Sequence, residues 1–172
     1  MLLDIGGATT DLHYTADIIR EDSEEKALPG SSVARHVFTD LGIVASRDST
    51  LLQLQGHPRL YDLLSMIAED DGIREMYQAL REGKFEPSPR LLSYACLFLA
   101  LDRFANCTTP GLPSADLSKV AEIILTGGAA QTLDESVASR VVNLVCGQGN
   151  PRILIDRSYR IWVDGMTCSA IR

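Results

Sequence analysis

The sequence predicts an α/β domain in which a mixed β-sheet is covered by helices. Three observations carry that expectation. Short β-prone runs cluster before Asp40, helical periodicity fills the middle of the chain, and the last third holds an apolar strand, a glycine pair, an amphipathic helix and another apolar strand.

Met1-Leu2-Leu3-Asp4-Ile5 is a short apolar run ending at Gly6-Gly7, and Leu12 to Ile19 resumes with β-prone residues, so the chain opens with a hairpin. Glu21 to Lys26 is a charge cluster followed by Leu-Pro-Gly-Ser-Ser and is expected to be a solvated loop. Val33 to Thr39 supplies a third strand, with Asp40-Leu41-Gly42 turning after it. From Thr50 to Ala105 the pattern is helical, broken at Gly56-His57-Pro58, at Asp70-Asp71-Gly72 and between Gly83 and Pro89, which gives three or four helices. Residues 50–106 thus read as a helical insertion plus a core helix. Ile73 to Arg81 is amphipathic, and Gly83 sits where a C-terminal cap glycine belongs. Leu91 to Ala105 is apolar on most faces, as expected of a helix sandwiched in the core.

After a Thr/Pro/Gly loop from Cys107 to Ser114, Glu122 to Thr126 reads as a buried strand running into Gly127-Gly128-Ala129-Ala130. Thr132 and Glu135 have the spacing of a capping box, and Val137, Val141, Leu144 and Val145 share one helical face. Arg152 to Asp156 is the next strand, and Tyr159 to Val163 is a shorter one after it.

The 172 residues are 45% apolar and 23% charged, as in an ordinary globular domain. With 16 Lys+Arg against 23 Asp+Glu, the net charge of −7 opposes binding to nucleic acid or anionic lipid. No apolar run reaches the ~20 residues that span a bilayer, and the N-terminus lacks the basic and apolar regions of a signal peptide, so a cytoplasmic location is expected. The four cysteines and three histidines show no metal-ligand spacing and are expected to be reduced thiols and ordinary side chains. There is no Walker-type phosphate loop and no nucleophile elbow.

Asp4-Ile5-Gly6-Gly7-Ala8-Thr9-Thr10-Asp11 carries the sharpest chemistry. Glycines let successive N–H groups converge on an anion, threonine hydroxyls add donors, and an adjacent Asp can hold Mg²⁺ through water. A plain hairpin turn needs neither two carboxylates nor two adjacent threonines. In Ile123 to Gln131, a glycine pair after a buried strand would let a flat ring approach the backbone, although a packing turn explains that segment nearly as well. Gly147-Gln148-Gly149 precedes a strand and reads as a turn. His13 could face the phosphate loop but is expected to pack beside Tyr14, His57 is expected to mark a helix boundary, and Asp156 with Arg157 to pair at the surface rather than to reach a ligand.

In this order the two motifs resemble those of the actin, Hsp70 and sugar-kinase ATPase superfamily, whose second phosphate motif is typically Asp-x-Gly-Gly-x-Thr-x-Asp and whose adenosine motif is an apolar strand ending in Gly-Gly. Ala8 and Ala129 stand where many members have a third glycine. Gly-Gly-Ala-Thr-Thr-Asp followed by Leu12 and His13, with Ile-Leu-Thr-Gly-Gly-Ala later, most resembles the MutL/GlmL family associated with adenosylcobalamin-dependent glutamate mutase, which is distinct from the mismatch-repair protein of the same name. Plasmid-partitioning actins and CoA-dehydratase activators share the superfamily motifs.

The resemblance implies a ribonuclease-H-like, actin-like ATPase lobe with a mixed five-stranded sheet and a helical insertion, binding ATP and Mg²⁺. It implies that Asp4 is the catalytic, Mg²⁺- and water-positioning acid, that Gly6, Gly7, Ala8, Thr9, Thr10 and Asp11 bind phosphate, and that Gly127, Gly128 and Ala129 bind adenosine. Residues 1–172 would then be the C-terminal lobe of a longer protein whose N-terminal lobe completes the site, and hydrolysis would remodel a partner such as a cobalamin-dependent mutase. A small-molecule kinase of the same superfamily and a non-catalytic assembly module are the alternatives.

Overall fold

The computed structural model describes residues 1–20, 33–68, 72–147 and 149–158. The Glu21–Lys26 loop and the Tyr159–Val163 strand expected from sequence lie outside the described residues.

Five strands, β1 (Leu2–Ile5), β2 (Thr10–Thr15), β3 (Val33–Phe38), β4 (Glu122–Thr126) and β5 (Arg152–Ile155), form one sheet in the order β3-β2-β1-β4-β5. β2 runs antiparallel to both β1 and β3, whereas β4 is parallel to β1 and β5 to β4. The mixed five-stranded sheet expected from sequence is therefore present, with its opening antiparallel meander and its two added parallel strands. β2 is shorter than its β-prone run, because the chain leaves the sheet at Thr15 for a 3₁₀ turn, Ala16–Ile18.

Alternation assigns the two sheet faces. Leu3, Ile5, Leu12, Tyr14, Phe38, Ile123, Leu125 and Ile153 point to one side and are buried there. Helices α1 (Arg47–Gly56), α2 (Leu60–Ile67), α3 (Ile73–Arg81), α4 (Pro89–Asn106) and α5 (Glu135–Cys146) follow. α4 packs on β1 and β2, and α5 on β5, with α1 and α2 against α4 and α5. Every residue of α4 from Leu91 to Leu101 is buried, which matches its apolar character on all faces. Cys96 lies within it, and burial pushes its thiol up to about 11, so it packs as a small hydrophobe. Among the described residues no helix is long and apolar enough to cross a membrane.

α3 ends as expected: Gly83 has φ +68°, its N–H donates to the Leu80 carbonyl, and the Lys84 N–H reaches Ala79. This is a Schellman closure, and the left-handed residue it needs is glycine. The capping box at Thr132 is corrected. Thr132 closes a 3₁₀ turn, Ala129–Thr132, and Asp134 caps α5 by accepting from the Ser136 and Val137 N–H groups. Two residues of register separate the expectation from the fact, because Thr132 spends its hydroxyl on the Ala129 carbonyl and on Ser93.

The Tyr94 ring is fully buried, and its hydroxyl oxygen accepts from the Asp134 N–H at 2.8 Å, tying α4 to the start of α5. Tyr94→Phe keeps the ring and orphans that N–H, so urea denaturation should show a loss of about 1–2 kcal/mol with helical content unchanged. An unchanged midpoint would show that the bond contributes nothing.

Candidate functional site

β1 and β4 are parallel neighbours, so their C-terminal ends lie side by side, with Asp4 opposite Thr126 in the ladder. The connection leaving β1 turns toward β2 and that leaving β4 leads toward β5. Divergence of this kind is where open α/β sheets place ligands. The two glycine segments singled out in the sequence meet here.

In the first, Gly6 to Thr9 form a tight loop closed by the Gly6 N–H donating to the Thr9 carbonyl at 2.9 Å. The second turns at Gly127, which is buried with φ +91°. A Cβ there would overlap Asp4 Oδ1 and lie 2.5 Å from the Ile5 carbonyl oxygen. Gly127 is thus glycine because β1 presses on it and because its φ is left-handed. This packing role stands whatever binds nearby, and replacing Gly127 disturbs the Asp4 strand first. Gly128 is exposed, whereas Ala129 is buried beneath the turn.

A third segment, which the sequence offered only as the turn Asp40-Leu41-Gly42, completes the arrangement. The N–H groups of Ile43, Val44 and Ala45 donate to the carbonyls of Gly6 and Gly7, and the Ser46 hydroxyl donates to that of Ala8. Gly42 is buried under this contact: a Cβ would fall 2.6 Å from the Gly7 oxygen and 2.7 Å from the Ala8 carbonyl carbon. The buried Thr50 hydroxyl holds the Gly42 N–H at 2.9 Å and lies 3.0 Å from its carbonyl oxygen. The Gly6, Gly7 and Ala8 carbonyls are thus all engaged by this one segment. The N–H groups of Gly7, Ala8 and Thr9 have no hydrogen-bond partner among the described residues. The buried Thr10 hydroxyl donates to the Leu41 carbonyl, so Thr10 fastens the loop to this brace.

The second sheet face carries the charge. Asp4 and Asp11 are direct partners across β1 and β2, and His13 and Arg35 occupy the same face. His13 was expected beside Tyr14; alternation instead sends Tyr14 into the core and leaves His13 with the carboxylates. Arg35 bonds Asp11 Oδ2 at 2.5 Å, while Asp11 Oδ1 is buried without a hydrogen-bond partner among the described residues. Burial, and then the neighbouring Asp11, raises the Asp4 carboxyl above its ordinary 3.8. Burial, and then Arg35, lowers His13 below 6.5. Both groups are held where their charged forms are disfavoured. Among the described residues no group of three or more His, Cys, Asp or Glu side chains is arranged so that it could hold a metal ion.

The surface pair expected at Asp156-Arg157 is corrected. Asp156 is buried at the end of β5, 3.4 Å from the Thr126 hydroxyl, and Arg157 turns away from it to donate to the Gln131 and Leu133 carbonyls. Both residues clip the second glycine segment to β5. His57 does sit at a helix boundary: the Arg59 N–H donates to its Nδ1, which leaves Nε2 as the donor to Asp102 at 3.2 Å. Two surface hollows lie away from the glycine loops. One, of about 190 Å³, adjoins Met1, Leu2, His13 and Val33, and the other, of about 510 Å³, lies between β3 and Thr108 to Pro110.

A mixed α/β fold that sets a carboxylate-bearing glycine hairpin against the glycine turn of a parallel neighbour is the class of protein these features define. The chain belongs to the MutL protein family, the MutL/GlmL family, which it matches over residues 1–168. No curated protein and no solved structure matches it.

Because the fold raises the Asp4 pKa, the native state binds this proton more tightly than the unfolded chain does, and Asp4 costs stability that is absent below about pH 3.8 and grows as pH rises through that value. Asp4→Asn should therefore be more stable than the parent protein at pH 7 in metal-free buffer, with the advantage fading toward pH 3. Thermal denaturation across that range measures it, and a variant less stable at pH 7 would contradict the electrostatic assignment.

Proposed function

We propose that this chain is a ribonuclease-H-like lobe of an actin-like ATPase that binds ATP with Mg²⁺ at the ends of β1 and β4 and serves an adenosylcobalamin-dependent glutamate mutase. The observation that carries the reading is the polarity of the Gly6–Thr9 loop: the Gly6, Gly7 and Ala8 carbonyls are consumed by Ile43 to Ser46, while the Gly7, Ala8 and Thr9 N–H groups, without a partner among the described residues, are available to an anion. The strand order β3-β2-β1-β4-β5, with β2 alone reversed, supports the fold assignment. Membership of the MutL family supports the mutase partner.

Gly6, Gly7, Ala8 and Thr9 would cradle phosphate, with Thr10 and Asp11 setting the loop's far end. Gly128 and Ala129, on the turn that Gly127 makes possible, would adjoin adenosine. The donor set fits Mg²⁺: Asp4, and Asp11 with its unpartnered Oδ1, are hard anionic oxygens on one face, and such a cation prefers few carboxylates plus water. When bound, the ion would neutralise phosphate charge.

Mechanism then falls to the chain's own groups. The loop N–H groups fix the phosphate chain, and Asp4 orients water toward it, a contribution of positioning and preorganised charge. A second lobe would supply the opposing wall, and closure between lobes would transmit the nucleotide state to the mutase.

Calorimetric titration of the intact protein with ATP and Mg²⁺ tests the reading. Binding is expected, and none up to millimolar ATP would end it. Asp4→Ala should lower turnover by roughly ten- to a thousandfold while leaving nucleotide affinity within a few-fold, because its work is done on charge developing in the transition state. An Asp4 variant with undiminished turnover would remove its assigned role.

A further inference from the structure

Ser46 occupies the N-terminal cap position of α1, where a serine side chain ordinarily accepts a hydrogen bond from the second or third helical N–H. Here it makes no such bond. Its hydroxyl donates instead to the Ala8 carbonyl, across 38 residues of sequence, and lies 2.9 Å from the Thr39 carbonyl as well. One hydroxyl proton thus faces two acceptors, one on the glycine loop and one at the end of β3. The residue best suited to finishing the helix has been diverted to a loop of another strand pair.

The surroundings give that diversion a consequence. Ile43, Val44 and Ala45 hold the Gly6 and Gly7 carbonyls through backbone groups that no side-chain substitution removes, and Gly42 leaves no slack beneath Gly7 and Ala8. Ala8 is the last carbonyl in the row, and among the described residues its bond from Ser46 is the one made by a side chain. A peptide plane whose oxygen is fixed has its attached N–H fixed in the opposite direction. Holding the Ala8 carbonyl therefore orients the Thr9 N–H, one of the three donors that have no partner among the described residues.

We propose that Ser46 is a positioning residue of the nucleotide site, which aims the Thr9 N–H at the terminal phosphates by pinning the Ala8 carbonyl. The inference rests on the nucleotide reading above and extends it to a residue that touches no ligand. Ser46 also begins α1, so any shift of the loop on phosphate binding pulls directly on the first turn of the helical layer.

The test compares ATP and AMP binding, each with Mg²⁺, by calorimetry in the intact protein and in Ser46→Ala and Ser46→Thr variants. Ser46→Ala should weaken ATP by about ten- to a hundredfold, the worth of one charge-assisted hydrogen bond, and leave AMP unchanged. Ser46→Thr, which restores the hydroxyl, should recover ATP affinity. Equal losses for ATP and AMP would overturn the proposal by showing a general structural role, and unchanged ATP affinity in Ser46→Ala would overturn it while leaving the nucleotide reading intact. Failure of the unsubstituted protein to bind either nucleotide would overturn that reading and this proposal together.

Discussion

The backbone from Asp4 to Ala8 is gripped from two sides by chain that approaches closer than any side chain permits. Gly127 lies against Asp4 and Ile5, and Gly42 lies against Gly7 and Ala8. These two contacts fix how the C-terminal ends of β1 and β4 meet and how the segment after β3 seats on the hairpin. Gly42 meets only backbone atoms of Gly7 and Ala8, and Gly127 meets the Ile5 backbone together with the Asp4 carboxylate, so most of this geometry is set by the main chain rather than by adaptable side chains. A close-packed junction of this kind has few alternative arrangements. It explains why two stretches far from it in sequence converge on one short loop.

The same junction lies beside a poor place for negative charge. Asp4 and Asp11 face each other on neighbouring strands, and Asp11 keeps one oxygen buried and without a hydrogen-bond partner among the described residues. Arg35 offsets part of this, yet it is more than half exposed, and an ion pair so screened contributes little. Folding alone would favour an apolar or amide residue at Asp4, whose charged form burial and the neighbouring Asp11 disfavour.

Much of the architecture was legible in the sequence because its signals are local. The five strands, the amphipathic α3 with its Gly83 closure and the uniformly apolar α4 each declare themselves within a window of about a dozen residues. What escaped depends on distant partners. Thr132 looked like a cap until Ser93 and the Ala129 carbonyl claimed its hydroxyl. His13 looked like a neighbour of Tyr14, when the period of two separates adjacent strand residues onto opposite faces. Gly42, Ser46 and Thr50 carry no signature at all, since a glycine in a turn and a serine before a helix are ordinary. Contact with Gly7 and Ala8, more than thirty residues upstream, gives Gly42 and Ser46 their meaning, and Thr50 gains its own by holding Gly42. The glycine segments themselves were visible from sequence, but not the reason Gly127 must be glycine.

One helix connects the two loops. Near its start, Ser93 and Tyr94 of α4 bond Thr132 and the Asp134 N–H, which anchors the segment following Gly127-Gly128. Toward its end, Arg103 forms a two-pronged pair with Asp40, immediately before Leu41 and Gly42, and stacks over Phe38. Because α4 is buried along nearly its whole length, it cannot shift without disturbing the core, and so the brace behind Gly6 to Ala8 and the turn at Gly127 are referred to the same rigid body. A ligand touching both loops would meet donors whose spacing is already set. The ordering cost is then met in folding rather than at each binding event, which is the condition under which backbone amides can hold an anion without a basic side chain.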